Sequence, residues 1–214
     1  MILGIDQITY GASDLATCRR FFGDWGLALT HDEGGRLCYE SLNGCRIIIA
    51  DPELQALPPA FEDGPTLREV VWGVSDEATL ARLREPLSTQ PGWLDDSARI
   101  GCTDPNGMAV RFQVSIKRKL DLPCARVNTW DRRDRIDQRA TIYERALPIE
   151  VGHVVFFVDQ LEATEAFYAA LGFVTSDRYP QRGAFMRCDA RGGHHDLFLL
   201  KAPNGKREIG RAHV

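Results

Sequence analysis

The sequence contains no long hydrophobic segment, no excess of positive charge and no closely spaced cysteine pair. Its longest apolar run, GHVVFFV from Gly152, is far shorter than the roughly 20 residues that span a bilayer. The N-terminus MILGIDQ lacks the basic and apolar regions of a signal peptide. A formal net charge of -4 gives no electrostatic reason to bind nucleic acid or an anionic membrane. We therefore expect a cytoplasmic protein without nucleic-acid or membrane partners.

The cysteines show neither a C-x-x-C pair nor a spacing typical of zinc sites. A free cysteine usually behaves as a small buried apolar residue. We expect this role for most of the six cysteines, which are Cys18, Cys38, Cys45, Cys102, Cys124 and Cys188.

What the chain does contain is a hidden internal repeat. At a constant offset of 146, IDQITYGASDLATCRRFFGDWGL aligns without a gap on VGHVVFFVDQLEATEAFYAALGF, so that Leu15 falls on Leu161 and Gly26 on Gly172. A weaker copy follows at an offset of 62, where GVSD from Gly73 matches GASD. Three copies of one supersecondary unit are therefore predicted.

Each copy begins with a β-branched and aromatic run typical of a strand, followed by a Ser-Asp or Asp-Gln pair that can cap a helix. In the third copy, Gly172 lies where a left-handed residue would end that helix. Shorter apolar runs follow, separated by the turn signals LNGC, DPNG and PNGK. This order predicts β-α-β-β-β units and an α+β fold. One helical face is predicted for Leu161, Thr164, Phe167, Tyr168 and Leu171.

The paired units, with GHVVFFV opening the third and HHDLFLL closing it, resemble the vicinal oxygen chelate superfamily. The likeness is greatest to its four-unit members, the type I extradiol ring-cleaving dioxygenases. The resemblance implies a metal-free N-terminal pair of units in residues 1–116. Residues 117–149 are dense in charge and poor in periodicity, so they are predicted to form an inter-domain connection. Residues 150–214 would form the first half of the metal-binding domain, with the fourth unit missing. In the connection, Trp130 and Tyr143 are expected to pack against a domain.

The resemblance also implies an Fe(II) site made by two histidines and one carboxylate, with positions left for a catechol and dioxygen. His153 matches the first ligand and His213 falls near the place of the second. The carboxylate, a Glu of the fourth unit, is absent from the sequence. Mn(II), Ni(II) and Zn(II) are the alternative metals. The isolated residue would favour a buried histidine whose hydrogen bonds are satisfied by the backbone, and the surrounding motif favours a ligand.

His195 in GGHHDLFLL matches the family histidine that acts as an acid–base group beside the bound substrate and dioxygen. Because neighbouring strand residues point to opposite faces, only one of His194 and His195 is expected to face the site. We select His195 because the His-Asp pair is the family pattern. The alternative is that both histidines are exposed residues next to a Gly-Gly turn.

The repeat predicts that the first two units lack a metal. The positions equivalent to His153 hold Gln7 and Glu69, and Arg111 occupies the usual carboxylate position of the second unit. A cation at that position would repel a metal ion.

His213 has a second explanation. Residues 208–214, EIGRAHV, also correspond to the translation of a common sequencing-library adapter, so we hypothesise that they are an artefact. Arg211 and Ala212 are also poor residues for an incoming strand.

The function expected from this resemblance is an Fe(II)-dependent extradiol dioxygenase of aromatic catabolism, acting on a small aromatic diol and O2. Without the carboxylate ligand, this chain is expected to be inactive, and to form a homo-oligomer that covers its apolar sheet face. The alternatives are a non-catalytic, antibiotic-type binding protein and a glyoxalase-type lyase of the same fold.

Overall fold

The computed structural model describes residues 1–54, 56–60, 62–122, 142, 144–203 and 208–209. Three successive βαβββ units are present, as the repeat predicts, and a short strand follows them. Unit 1 comprises β1 (Ile2–Gly11), α1 (Leu15–Asp24), β2 (Ala28–Glu33), β3 (Arg36–Glu40) and β4 (Arg46–Ala50). Unit 2 comprises β5 (Thr66–Val74), α2 (Glu77–Ser88), β6 (Leu94–Asp95), β7 (Arg99–Thr103) and β8 (Ala109–Val114). Unit 3 comprises β9 (Val154–Val158), α3 (Leu161–Ala170), β10 (Val174–Tyr179), β11 (Gly183–Arg187) and β12 (Leu197–Lys201), and β13 is Glu208–Ile209.

Two sheets contain all of these strands. Units 1 and 2 share an eight-stranded sheet of order β2-β3-β4-β1-β5-β8-β7-β6, and unit 3 with β13 forms a five-stranded sheet of order β10-β11-β12-β9-β13. In each unit the last strand runs parallel to the first, and β1 and β5 join units 1 and 2 by antiparallel pairing. Strand β13 pairs with β9 in the same antiparallel sense. The α+β class and the repeated-unit fold are therefore confirmed.

The helix ends agree with the repeat in most respects. Asp14 and Asp76 each accept a hydrogen bond from the backbone N–H three residues on, which satisfies an otherwise unpaired donor of the first turn. The third cap prediction is wrong, because the residue before α3 is Gln160 and its side chain makes no capping bond. At the other end, Gly172 has a φ of +107°, the left-handed conformation that favours glycine.

One hydrophobic core joins the three units. The predicted helical face of α3 is buried at Leu161, Thr164, Tyr168 and Leu171, with Phe167 half-buried. Trp72 of β5 packs edge-on against Phe173, with ring centroids 4.9 Å apart. Because Trp72 belongs to unit 2 and Phe173 to unit 3, this contact packs the two units against each other.

A buried polar contact lies in the same interface. The hydroxyl of Tyr168 donates to Oδ2 of Asp104 at 2.8 Å, while the backbone N–H groups of Asn106 and Met108 donate to Oδ1 at 2.9 and 2.8 Å. Burial is the largest influence on this carboxyl and raises the pKa of Asp104 to about 6, although the hydrogen bonds act in the opposite direction. Burial also raises the pKa of Tyr168 well above its usual value.

The connection predicted for residues 117–149 is described only at 117–122, 142 and 144–149, so Trp130 and Tyr143 lie outside the described residues. Its end is fixed to unit 1, since Leu42 N–H donates to Pro148 O and Asn43 N–H to Ile149 O. Within the described ranges, no helix has the length and apolar character needed to cross a membrane. The described cysteines are all free; Cys45, Cys102 and Cys188 are buried, and Cys18 and Cys38 are partly exposed. Cys124 lies outside the described residues.

Replacing Asp104 with Asn tests the buried carboxyl. Because the folded-state pKa of about 6 exceeds the ordinary 3.8, its stabilising contribution is complete below about pH 3.8 and is lost as the pH rises through about 6. An Asn stays neutral; its Oδ1 can accept the N–H groups of Asn106 and Met108, and its Nδ2 can donate to the hydroxyl oxygen of Tyr168. We therefore expect Asp104→Asn to gain unfolding free energy relative to the parent across this window, by at most about 3 kcal/mol. Urea unfolding at several pH values measures this difference.

The exposed Asp63 provides the matched control, and Asp63→Asn should follow the parent at every pH. A difference between Asp104→Asn and the parent that is the same at low and high pH would contradict the raised pKa.

Candidate metal and catalytic site

His153 directly precedes β9 and continues the alternating pattern of that strand, as expected from the sequence. Val154, Phe156 and Val158 are fully buried in the core, whereas His153, Val155 and Phe157 are half-buried. Since successive strand side chains alternate between faces, the three buried residues direct His153 toward the opposite face of the sheet. We name this surface the histidine face: His153, Val155 and Phe157, with Phe185 of β11 and Phe198 of β12.

Aromatic rings form the centre of the histidine face. Phe185 is in register with Phe198, and Phe198 with Val155, so the three side chains form a row across three adjacent strands. The Phe185 and Phe198 rings are stacked, with centroids 3.8 Å apart and planes 8° apart. They provide a flat apolar surface beside the imidazoles. These two rings are not among the site residues predicted from the sequence, although the alternation in GAFMR and DLFLL places them on one face of the sheet.

His195 approaches the same face from the chain segment between β11 and β12. Its ring lies 4.5 Å from that of His153 and 5.0 Å from that of Phe185, measured between centroids. His194 is more exposed; its Nδ1 lies 2.8 Å from Nδ1 of His195, and its Nε2 lies 3.8 Å from a carboxylate oxygen of Asp177. The structure thus brings His153 and His195 together, and the assignment of roles to them stays a prediction.

The premise that strand alternation turns only one of His194 and His195 toward the site is wrong. Strand alternation does not apply there, because β12 begins only at Leu197 and both histidines belong to an irregular segment. Both rings have centroids 5.0 Å from that of Phe185. What distinguishes the two histidines is their surroundings, since the ring of His195 packs on His153 whereas that of His194 extends toward Asp177.

Asp196 holds this segment in place. Its carboxylate accepts a hydrogen bond from Cys188 N–H at 2.8 Å, and its backbone N–H donates to Met186 O at 2.9 Å. Its carbonyl accepts from Val154 N–H at 3.1 Å. These bonds connect the residue after His195 to the end of β11 and to the strand of His153. Burial, and then the neighbouring Asp196, raise the pKa of the Cys188 thiol well above its usual value.

The equivalent positions in units 1 and 2 form a different site. Gln7 is buried and its side-chain oxygen accepts a hydrogen bond from Arg99, while Arg111 Nε lies 3.5 Å from the carboxylate of Glu69. Burial raises the pKa of Glu69, opposed by the charges of Arg111, Arg99 and then Arg36. Arg111 therefore forms an ion pair with Glu69. This agrees with the expectation that a cation at position 111 would repel a metal ion. That this half binds no metal stays a prediction.

The donor groups fit a divalent metal in part. The imidazole of His153 is a suitable nitrogen ligand for Fe(II), Mn(II), Ni(II) or Zn(II), and it lies beside a second imidazole. Among the described residues, however, no group of three or more His, Cys, Asp or Glu side chains could hold a metal ion. His213 lies outside the described residues. A complete coordination sphere therefore needs ligands beyond those described.

Comparison with known proteins agrees with the fold. Residues 150–214 match the model of the Glyoxalase/Bleomycin resistance protein/Dioxygenase superfamily. No curated protein matches the sequence. The chain has the vicinal oxygen chelate fold, and the resemblance seen in its sequence is confirmed.

Several solved structures are similar over almost all of the chain. A halotolerant catechol dioxygenase has a TM-score of 0.69 and 18% identity, with 99% of this chain and 69% of that one covered. The Mn(II)-bound glyoxalase from Novosphingobium aromaticivorans has a TM-score of 0.66 and 16% identity, with coverage of 97% and 64%. Homoprotocatechuate 2,3-dioxygenase from Brevibacterium fuscum, bound to 3,4-dihydroxyphenylacetate, has values of 0.64 and 14%, with coverage of 94% and 60%. The chain thus spans about two thirds of the length of these proteins.

Removing the carboxylate of Asp196 should disturb the histidine pair. We expect Asp196→Ala to lose about 1–3 kcal/mol of unfolding free energy, because Cys188 N–H loses its acceptor. The ring-proton NMR signals of His153 and His195 should both shift, because the two rings are no longer held at a fixed distance from each other. Urea unfolding and proton NMR measure the two effects.

Asp177→Ala is the control, since that carboxylate is exposed, contacts His194 and the neighbouring Arg178 N–H, and belongs to a different strand. It should leave both the stability and the His153 signal unchanged. An Asp196→Ala variant with parental stability and parental histidine signals would show that Asp196 does not position this segment.

Proposed function

We propose that the chain is part of an Fe(II)-dependent extradiol dioxygenase that cleaves the ring of a small aromatic diol with O2. The observation that carries this proposal is the approach of His153 and His195 to 4.5 Å beside the stacked rings of Phe185 and Phe198. The neighbouring dioxygenase structures support it through their shared fold. Cytoplasmic location and assembly into a homo-oligomer belong to the same proposal.

His153 would hold the metal ion, together with His213 if that residue is native and a carboxylate beyond those described. A bound ferrous ion supplies a Lewis acid with open positions for both oxygen atoms of a diol and for dioxygen. The pairing of β13 with β9 repeats the antiparallel pairing of β5 with β1, which joins units 1 and 2 into one sheet. If residues 208–209 are native, this pairing supports a paired-unit domain around His153.

The residues of this chain have two roles in the proposed reaction. Phe185 and Phe198 offer an apolar surface against which an aromatic ring can pack, and they exclude water from that side. His195 can take a proton from a diol hydroxyl at an imidazole nitrogen and return a proton during ring opening. An imidazole suits both directions, because its ordinary pKa lies near neutral pH.

A glyoxalase-type lyase is the second candidate. The Mn(II)-bound glyoxalase is similar over 97% of the chain, with a TM-score of 0.66 that is close to the 0.69 of the catechol dioxygenase. The fold alone therefore does not favour one chemistry. The flat apolar surface beside the imidazoles favours an aromatic substrate and hence the dioxygenase.

Replacing His153 tests its assignment as a metal ligand. We expect His153→Ala to weaken binding of Co(II), a spectroscopic substitute for Fe(II), by at least about tenfold, because one of few nitrogen ligands is lost. Anaerobic titration followed by visible absorption measures this affinity. His31→Ala is the control, since His31 is an exposed residue of β2 in unit 1. Equal affinities of His153→Ala and the parent would remove His153 from the site.

A second measurement tests the substrate class. We expect 4-nitrocatechol to bind the Fe(II)-loaded chain more tightly than the metal-free chain, with a change in its visible spectrum as a hydroxyl loses its proton. 4-Nitrophenol, which has one hydroxyl, is the control ligand and should not respond to iron. Iron-independent binding of both would support a non-catalytic binding protein, and turnover of a thiohemiacetal with Ni(II) or Zn(II) would support the lyase. We expect little ring cleavage by this chain alone, because two imidazoles without a carboxylate hold iron weakly.

A further inference from the structure

The eight-stranded sheet carries a cavity that the proposed reaction does not use. Its volume is about 520 Å³, within the range of small-molecule sites. We name it the arginine cavity. It opens between strands of units 1 and 2 and the 56–58 segment, and its lining includes Gln7, Thr9, Arg36, Glu40, Arg46, Ile48, Leu57, Pro58, Glu69 and Arg99.

Both carboxylates of the arginine cavity already have cationic partners. Glu40 lies 3.4 Å from Arg46 and 3.5 Å from Arg118, in each case between a carboxylate oxygen and a guanidinium nitrogen. Glu69 lies 3.5 Å from Arg111. With both acidic groups paired, the remaining arginines of the cavity carry an excess of positive charge.

Arg36 and Arg99 provide this excess. Arg99 donates to the side-chain oxygens of Gln113 at 2.9 Å and Gln7 at 3.3 Å, and both of these acceptors are neutral. The backbone of Arg36 pairs with the neighbouring strands, but its guanidinium has no hydrogen bond or ion pair among the described residues. Both side chains are half-buried and line the cavity. Both line the cavity together with Glu69, and their charges lower the pKa of that carboxyl against the effect of burial.

The cavity also has an apolar wall. Ile48 of β4 contributes on one side, and Leu57 and Pro58 contribute from the 56–58 segment. That segment is attached to the sheet, because Arg68 Nη1 donates to Pro58 O at 2.8 Å. A ligand in this cavity would therefore contact the guanidinium groups of Arg36 and Arg99 and the aliphatic side chains of Ile48 and Leu57.

We propose that the arginine cavity binds a small organic acid, with its carboxylate on Arg36 and Arg99 and its carbon skeleton on Ile48 and Leu57. Guanidinium groups match a carboxylate geometrically, because their N–H donors can pair with both of its oxygens. A divalent cation is disfavoured by the surrounding positive charge. This site is separate from the histidine face and requires neither a metal nor the proposed dioxygenase reaction.

Benzoate is a suitable probe, since it combines one carboxylate with a compact apolar ring. In calorimetric titrations of the metal-free chain at low ionic strength, we expect benzoate to bind at least about tenfold more tightly than its neutral analogue benzamide. Arg36→Gln and Arg99→Gln should each weaken benzoate binding by about tenfold. Arg20→Gln, at an exposed position of α1, is the control and should bind benzoate like the parent.

The unchanged chain gives a test that does not depend on variants folding. In proton–nitrogen NMR spectra, benzoate should shift the Nε–H signals of Arg36 and Arg99 and leave the backbone signals of Phe185 and Phe198 in place. Absence of benzoate binding, or shifts confined to Phe185 and Phe198, would overturn the proposal. Inorganic phosphate binding as tightly as benzoate would also overturn it, because the apolar wall would then contribute nothing.

Discussion

The alternation of side chains along the strands is the constraint on which this structure depends. Every second residue of β9 must enter the core, and Val154, Phe156 and Val158 do so completely. The residues between them then have to face the other side of the sheet. The burial of its neighbours therefore places His153 on that side. The same rule aligns Phe185 and Phe198 on the neighbouring strands, since Ala184, Met186, Leu197 and Leu199 are buried between them.

The two sheets share one fold but carry side chains of different charge at equivalent positions. On the histidine face, the positions nearest the site hold imidazoles and aromatic rings, which can coordinate a cation and pack against an apolar ring. In the eight-stranded sheet, the equivalent positions hold Gln7, Glu69 and Arg111, and the carboxylate of Glu69 is paired with a guanidinium. A guanidinium thus lies beside Glu69, the residue equivalent to His153. The fold fixes the position of these side chains, and their chemistry decides which charge the site accepts.

The architecture could be predicted from the sequence because repetition and periodicity both report on burial. Three aligned copies gave the βαβββ order, and the spacing from Leu161 to Leu171 gave the buried face of α3. The structure of segments without periodicity was harder to predict from the sequence. The expectation that only one of His194 and His195 faces the site applied strand alternation to a segment that is irregular. The cap predicted before α3 failed because Gln160 makes no side-chain bond to the first turn. The role of Asp196 depends on backbone donors of Cys188 and on Met186, which no local pattern reveals.

The half of the protein without histidine ligands still supports the histidine face. Asn106, in the turn between β7 and β8, donates from its side chain to Phe157 O at 3.3 Å, and Phe157 belongs to the strand that follows His153. In the same turn, Asp104 accepts the hydroxyl of Tyr168 from the helix after that strand. The DPNG turn of unit 2 is therefore bonded to both β9 and α3. Since interiors pack densely and transmit small displacements, a change in this turn would move the strand that positions His153. The N-terminal units thus act as a scaffold for the candidate site, whatever ligand their own cavity binds.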